Sequence, residues 1–209
     1  MTSLHEFAAQ FVQVAIAADH SFIQTGDVGE VRKGVAFWEQ VEASGAFANE
    51  PPEALVDLHL TVSMLYARRF QVDARREDLE RALSYLRRAQ PHAIPGSPAD
   101  FQARTASAAW LMLRFDADGE REDIDQAIAG WDELWQLHGE ASPDRGLAAI
   151  NLGRSLLRRY DVTGDPDDLA RGSRFLELAS IELEQDHPAL PDVRTELRAI
   201  AAARSALET

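Results

Sequence analysis

Arginine recurs at a fixed spacing in this chain and is its most regular polar feature. The members of this column are Arg69, Arg114 and Arg159, and successive members are 45 residues apart. Guanidinium groups bind carboxylates through paired hydrogen bonds, so this column could grip acidic side chains of a partner or a carboxylate ligand. The alternative is structural, with each arginine at a helix C-terminus, where the helix dipole favours a cation. In that case each arginine pairs with an acid of a neighbouring repeat's turn: Asp73, Asp118 or Asp165.

A second set of candidates comes from positions that vary between repeats. Equivalent places on the first helix of each repeat hold residues of different size and charge. A binding surface requires such variation, and drift on a solvated face also produces it. The predicted partner-binding residues lie at these places: His59, Arg104, Asn151 and Arg154. Trp135 is a secondary candidate together with the arginine column, because its own column is otherwise polar and buried aromatic anchors often dominate binding energy.

No motif for catalysis, metal binding or cofactor binding is readable in the sequence. Cysteine is absent, which excludes disulfides, thiolate zinc sites and cysteine nucleophiles. The histidines show no ligand spacing, and neither a serine-centred elbow nor a glycine-rich phosphate loop occurs. We therefore expect a protein without enzymatic activity, metal or cofactor.

The elements that position these residues form an internal repeat. Four related segments read SFIQTGDVGEVRKG, RFQVDARREDLERA, RFDADGEREDIDQA and RYDVTGDPDDLARG. Their aromatic residues Phe70, Phe115 and Tyr160 are spaced by 45 residues, and Phe22 precedes Phe70 by 48. A constant period of this length is typical of repeat architectures.

Each repeat contains a helix, a turn and a second helix. In the last repeat Gly164 suits a helix end, Asp165 can cap the next helix and Pro166 suits its first position. Acids recur in the first turn of the second helix, where the dipole favours them, and we interpret them as caps and solvated groups: Glu30, Asp78, Asp123 and Asp168. Small residues recur on both helices, which predicts that the two axes of each hairpin approach closely.

This repeated pattern of helix, turn and helix predicts an all-α fold, a right-handed α-solenoid of four hairpins with one continuous core. The predicted single domain covers residues 1–209, with repeats at about 4–48, 51–92, 98–139 and 142–186 and a capping helix at 189–207. No strand-like alternation is readable.

The charge narrows the range of partners. The formal net charge is -14 and the pI is about 4.8, which argues against nucleic acid and anionic lipid. Basic partners and neutral ligands remain open, as does a homo-oligomer. We expect a cytoplasmic protein, because neither a membrane span nor a signal peptide is readable.

The stretch from Asn151, ending in RRYDVTGDPDDLARG, resembles the extended tetratricopeptide-type repeats common in actinobacterial proteins. Its period is longer than the usual ~34 residues. The resemblance implies a scaffold, so the leading hypothesis is a protein that binds a peptide or helix of a regulatory or signalling partner in its concave groove. The alternative is a small-molecule-binding protein or a helical enzyme of specialised metabolism. Its pocket would be lined by Met64, Tyr66, Trp110 and Arg154.

Overall fold

The computed structural model describes residues 4–139 and 142–207. The remaining parts of the predicted domain, 1–3, 140–141 and 208–209, lie outside the described residues. Within the described ranges every regular element is helical, and the α-helices are α1 Leu4–Thr25, α2 Gly29–Ser44, α3 Val56–Asp73, α4 Arg76–Ala89, α5 Pro98–Asp118, α6 Arg121–Leu137, α7 Pro143–Thr163, α8 Pro166–Glu182 and α9 Leu190–Leu207. Short 3₁₀ helices cover Pro52–Leu55 and Gln90–His92.

The turn inside each hairpin is closed by one residue in the left-handed conformation. Gly26, Gly119 and Gly164 have φ of 72°, 75° and 68°, whereas the equivalent residue of the second repeat is Ala74 with φ 52°. After the last of these turns, Asp165 accepts a hydrogen bond from the Asp167 N–H at 3.0 Å and caps α8. The glycine, the cap and the first-turn proline of α8 thus act as the sequence predicts.

The small residues bring the helices of a hairpin together. A Cβ atom added at Gly172 would lie 2.9 Å from the Gly153 carbonyl oxygen, so α7 and α8 touch through backbone. At the equivalent place in the second repeat, the Ser63 hydroxyl donates to the Ala82 carbonyl at 2.8 Å and joins α3 to α4.

The chain consists of two compact units, divided between Arg114 and Phe115 inside α5. The first unit has a core in which Leu65 and Tyr66 of α3 are fully buried. In the second unit, α7 packs on both α6 and α8, and α8 also packs on α9. Ala149, Ile150 and Leu176 are buried in one cluster there.

The all-α fold class predicted from the sequence, a solenoid-type array of helix hairpins ending in a single helix, is confirmed. The right-handed sense, the single continuous core and the single domain remain predictions.

Candidate functional site

The arginine column is used inside the fold. The Arg69 Nε donates to Asp78 Oδ2 at 2.7 Å, its Nη2 donates to Asp78 Oδ1 at 2.5 Å, and both side chains are buried. Arg159 repeats the arrangement on Asp168 with bonds of 2.8 and 2.7 Å. This bond lowers the pKa of the Asp168 carboxyl. Arg69 and Arg159 therefore each tie their helix to the first turn of the next helix in the same hairpin.

The same arginines also reach one repeat back. Arg69 contacts Glu39 at 3.3 Å, and Arg159 donates to Asp125 at 2.6 Å. Arg114 donates to Glu80 at 3.2 Å in the same way. The arginine column therefore has a structural role, which was one of the two alternatives considered from the sequence.

Two of the partner acids expected for this column, Asp73 and Asp165, were wrong. Asp73 accepts from the Arg32 Nε at 3.1 Å, and Asp165 caps α8. The interpretation of the first-turn acids as solvated groups was also wrong for three repeats, because Asp78, Asp123 and Asp168 are only 1, 4 and 3% exposed.

The predicted partner-binding residues fall in different settings. Arg104 donates to Asp100 at 2.9 Å, and Arg154 makes a two-pronged bond to Glu196 of α9 with distances of 3.0 and 2.6 Å. Asn151 is half-buried, one turn before Arg154 on α7. His59 is buried in the first unit. His59 and Arg104 belong to the first unit, and Asn151 and Arg154 to the second.

Trp135 is half-buried where α6, α7 and α8 meet. The Arg145 guanidinium lies 4.5 Å from its ring centroid, and Phe175 packs against it edge-on at 5.2 Å. Its indole N–H is buried without a hydrogen-bond partner among the described residues. The ring is thus already packed against other side chains of its own unit.

A pocket of about 450 Å³ has the predicted residue His59 in its wall. We call it the His59 pocket. Its walls come from α2, the connection from α2 to α3, α3 and the end of α4: Trp38, Val41, Glu42, Gly45, Phe47, Ala48, Glu50, Pro52, Leu55, His59, Arg87, Arg88 and His92. The volume lies within the range of small-ligand sites. His59 therefore faces second-helix residues, whereas we expected it on a face made of first helices.

Two lining residues of this pocket, Trp38 and Glu42, are joined through Tyr85 by hydrogen bonds. The Trp38 N–H donates to the Tyr85 hydroxyl at 2.7 Å, and this hydroxyl donates to Glu42 at 2.5 Å. The Arg88 guanidinium lies 5.3 Å from the Tyr85 ring centroid and 3.6 Å from Glu42. Burial, followed by the bond to Glu42, raises the pKa of Tyr85. The polar groups of Trp38, Tyr85 and Glu42 are therefore satisfied within the fold.

The imidazole of His59, in contrast, has a buried nitrogen whose hydrogen-bonding capacity is not satisfied by another described residue. The side chain is 9% exposed, its ring centroid lies 5.5 Å from that of Tyr85, and its Nδ1 has no hydrogen-bond partner among the described residues. Burial, and after it the charge of Arg88, lowers the pKa of His59 to about 4. A neutral ring with an unpaired buried nitrogen costs on the order of 1–3 kcal/mol, and a ligand that bonds the nitrogen would recover that free energy.

Sequence reasoning missed Arg87 and Arg88. The signal was present, because the equivalent positions of the third repeat are Asp132 and Glu133. Because another repeat carries acids at these positions, Arg87 and Arg88 have no structural role that all repeats share. The lining residues expected for a small-molecule pocket were different. Of these, Tyr66 and Trp110 are buried core residues, and the Trp110 N–H donates to Ser63 at 3.0 Å.

A second depression lies between the first helices of the first two repeats. It has a volume of about 370 Å³ and is lined by α1, the α2–α3 connection and the start of α3, with Leu4, Ala8, Ala9, Val12, Gln13, Phe47, Glu50, Ala54, Leu55, Asp57 and Leu58. We call it the α1–α3 groove. Most of its lining residues are apolar, and its acids Asp57 and Glu50 form no ion pair with another described residue.

No group of three or more histidine, aspartate or glutamate side chains is arranged to hold a metal ion within residues 4–139 and 142–207. In the same part of the chain, no helix combines the length and apolar character needed to cross a membrane.

Comparison with known proteins found a similarity among solved structures. No protein-family model matches the chain, and no curated protein matches it. Among solved structures it is similar to a de novo designed helical repeat protein, with 15% sequence identity and a TM-score of 0.39 over 95% of this chain and 97% of the other. At this TM-score the similarity carries no inference about function.

Proposed function

We propose that this protein is a non-enzymatic scaffold that binds a basic, amphipathic peptide or helix of a regulatory partner in the α1–α3 groove. The proposal includes the tetratricopeptide type of the repeat and its actinobacterial character. The observation that carries it is the groove itself, an apolar depression between two first helices with unpaired acids among its lining residues.

The apolar lining indicates the kind of partner surface. Val12 and Leu58 line the groove from α1 and α3, and Leu4 at the start of α1 is 40% exposed. An amphipathic helix presents an apolar stripe of similar form, and grooves of this kind bind such helices through residues spaced by three and four. We therefore assign the groove to the apolar face of the partner.

The charge indicates the polar face of the partner. Asp57 and Glu50 lie free beside the apolar lining, and the chain as a whole carries a net charge of -14. Complementary charge accelerates encounter and rejects acidic competitors. A partner with lysine or arginine beside its apolar stripe fits both features.

A model peptide tests this proposal before a natural partner is known. The probe is a fluorescent helix of about 18 leucine and lysine residues, or five turns. Its control is a peptide of the same composition whose order destroys the apolar face. We expect the amphipathic peptide to bind more tightly than its control. The variants Val12→Asp and Asp57→Arg should weaken binding by roughly tenfold or more, as the loss of an anchor does.

The matched control for charge is Asp186→Arg, which reverses an exposed acid in the second unit. It should leave the affinity nearly unchanged. Equal binding of the two peptides, or equal effects of Asp57→Arg and Asp186→Arg, would show that only the overall charge attracts the probe.

The predicted contacts of the second unit are tested with the partner once it is identified. We expect Asn151→Ala and Arg154→Ala to weaken partner binding by about 1–2 kcal/mol. Arg154→Ala also removes the bond to Glu196, so Glu196→Ala is its structural control. Loss of binding in the control as well would assign Arg154 to the fold.

The small-molecule alternative keeps one supporting observation. The His59 pocket is larger than the groove, at about 450 against 370 Å³, and it contains a buried polar atom without a partner.

A further inference from the structure

The His59 pocket has polar groups that the fold leaves unused. His59 lies in the pocket wall and is only 9% exposed. Its Nδ1 has no hydrogen-bond partner among the described residues. Arg87 also lines the pocket and forms no ion pair or hydrogen bond with any other described residue. By contrast, Glu42 already accepts from Tyr85 and lies 3.6 Å from Arg88.

His59 and Arg87 are not repeated at the equivalent positions of the next repeat, so the repeat architecture gives them no structural role. The positions one period after His59 and Arg87 hold Arg104 and Asp132. The structural arginines behave differently, since Arg69 and Arg159 make the same bond in their own repeats. The unpaired groups therefore belong to the pocket and not to the repeat.

Three basic side chains of the pocket come from one short stretch of the chain. Arg87 and Arg88 come from the last turn of α4, and His92 follows in the 3₁₀ helix. Trp38, Val41, Phe47 and Leu55 supply apolar surface from α2 and the α2–α3 connection. A ligand with one polar end and one apolar body fits this division.

The nature of the polar end follows from hydrogen-bond chemistry. A guanidinium only donates, and an imidazole protonated on Nδ1 donates as well, so together they favour an oxygen anion. Glu42 and Glu50 also line the pocket and disfavour an anion of high charge such as a phosphate. A single carboxylate carries one charge and two acceptor oxygens.

We propose that the His59 pocket binds a small organic acid, with its carboxylate on Arg87 and the Nδ1 of His59 and its apolar body against Phe47 and Leu55. The proposed acid site does not rest on partner binding in the α1–α3 groove, although the two sites are adjacent. The two sites share the lining residues Phe47, Glu50 and Leu55.

The test uses phenylacetate as the acid and phenylacetamide as its neutral counterpart. Binding to the full chain is followed by the nitrogen chemical shifts of the histidine rings, with the His59 signals assigned from their loss in His59→Gln. We expect phenylacetate to shift the signals of His59 and to leave those of His187, in the second unit, unchanged. The amide should bind at least roughly tenfold more weakly, which is the loss of one charge-assisted hydrogen bond.

Two arginine variants separate the pocket from general attraction. Arg87→Ala should weaken phenylacetate binding by roughly tenfold. Arg174→Ala removes another exposed arginine, in α8 of the second unit, and should change the affinity by less than about twofold. Arg87 is exposed, so Arg87→Ala is expected to fold. Binding of phenylacetate to Arg87→Ala therefore tests the proposal even if His59→Gln is destabilised.

Three results would overturn the proposal. They are equal binding of the acid and the amide, unchanged binding in Arg87→Ala, and His59 signals that do not move at saturating phenylacetate. A further arm uses an N-acetylated hexapeptide that ends in phenylalanine with a free carboxylate. If this peptide binds more than about tenfold tighter than phenylacetate, the carboxylate comes from a protein chain end, and the assignment to a free acid is wrong. None of these measurements involves the leucine and lysine peptide, so failure here leaves the groove proposal standing.

Discussion

At the scale of single residues, the arginine of the repeat holds its hairpin together. Arg69 has 8% of its side chain exposed and Asp78 has 2%, so the pair is almost fully removed from water. Removing one member of such a pair leaves an uncompensated buried charge, whereas replacing both with apolar side chains of similar volume often costs little.

We therefore expect Arg69→Met to lower the free energy of unfolding by about 3–5 kcal/mol. The double variant Arg69→Met with Asp78→Leu should be more stable than this single variant, because no buried charge is left alone. Urea denaturation followed by circular dichroism measures both. A double variant less stable than the single one would mean that the pair itself, and not the avoidance of an unpaired charge, stabilises the hairpin.

A second expectation at this scale concerns pH. The folded pKa of His59 is about 4 and the ordinary value is 6.5, so the unfolded chain binds a proton that the folded chain refuses. The groups that act on its charge are Arg88 and His92, which lower the pKa, and Glu42, which raises it. The stabilisation is fully present above pH 6.5 and is lost as the pH falls toward 4, with a slope of at most about 1.4 kcal/mol per pH unit.

The variant His59→Phe should flatten this slope between pH 6.5 and 4, and urea midpoints measured across the window check it. Acids whose pKa is lowered, such as Asp168, lose their contribution only at lower pH, so they leave the window clear. An unchanged slope in the variant would mean that His59 already titrates normally in the folded chain.

At the scale of elements, the turn of each hairpin depends on one left-handed residue. A non-glycine residue pays roughly 1–2 kcal/mol in this conformation, because its Cβ lies too close to the backbone. The second repeat carries Ala74 at φ 52°, whereas the fourth carries Gly164 at φ 68°.

We expect Ala74→Gly to stabilise the protein by up to about 1 kcal/mol and Gly164→Ala to destabilise it by about the same amount. A Cβ at Gly164 meets no atom within 4 Å, so the backbone conformation alone sets the cost. Thermal unfolding of both variants shows whether Ala74→Gly raises and Gly164→Ala lowers the stability. Destabilisation by Ala74→Gly would show that the extra freedom of glycine in the unfolded chain outweighs the strain.

The elements were predictable because their signals are local. Glycine, aspartate and proline around residues 164–166 determine a helix end and a helix start without help from the rest of the chain. The partners of the arginines were not predicted, because Arg69 bonds the acid nine residues later, past the turn, and not the nearer Asp73. The same holds for the His59 pocket. Its walls come from α2, α3 and α4, and only their packing shows that His59 faces Arg88.

At the scale of the whole molecule, stability depends on neighbouring repeats in each unit. In the second unit α7 packs on α6 and α8, and Arg159 of α7 bonds Asp125 of α6. Repeat proteins gain their stability from such interfaces between neighbours, and each repeat alone buries too little apolar surface.

We expect a chain that ends at residue 141 to aggregate, because α6 loses the helix that covers it. Trp135 would lose the Arg145 side chain from its face and the Phe175 ring from its edge, and Asp125 would lose Arg159. A chain that ends at residue 188 removes only α9 and uncovers the smaller cluster around Ala149 and Ile150. It should remain monomeric, bind more hydrophobic dye than the full chain and unfold at a lower urea concentration. Light scattering and urea denaturation measure both chains. A monomeric chain 1–141 with cooperative unfolding would mean that the repeats before residue 141 form a stable body without the last hairpin.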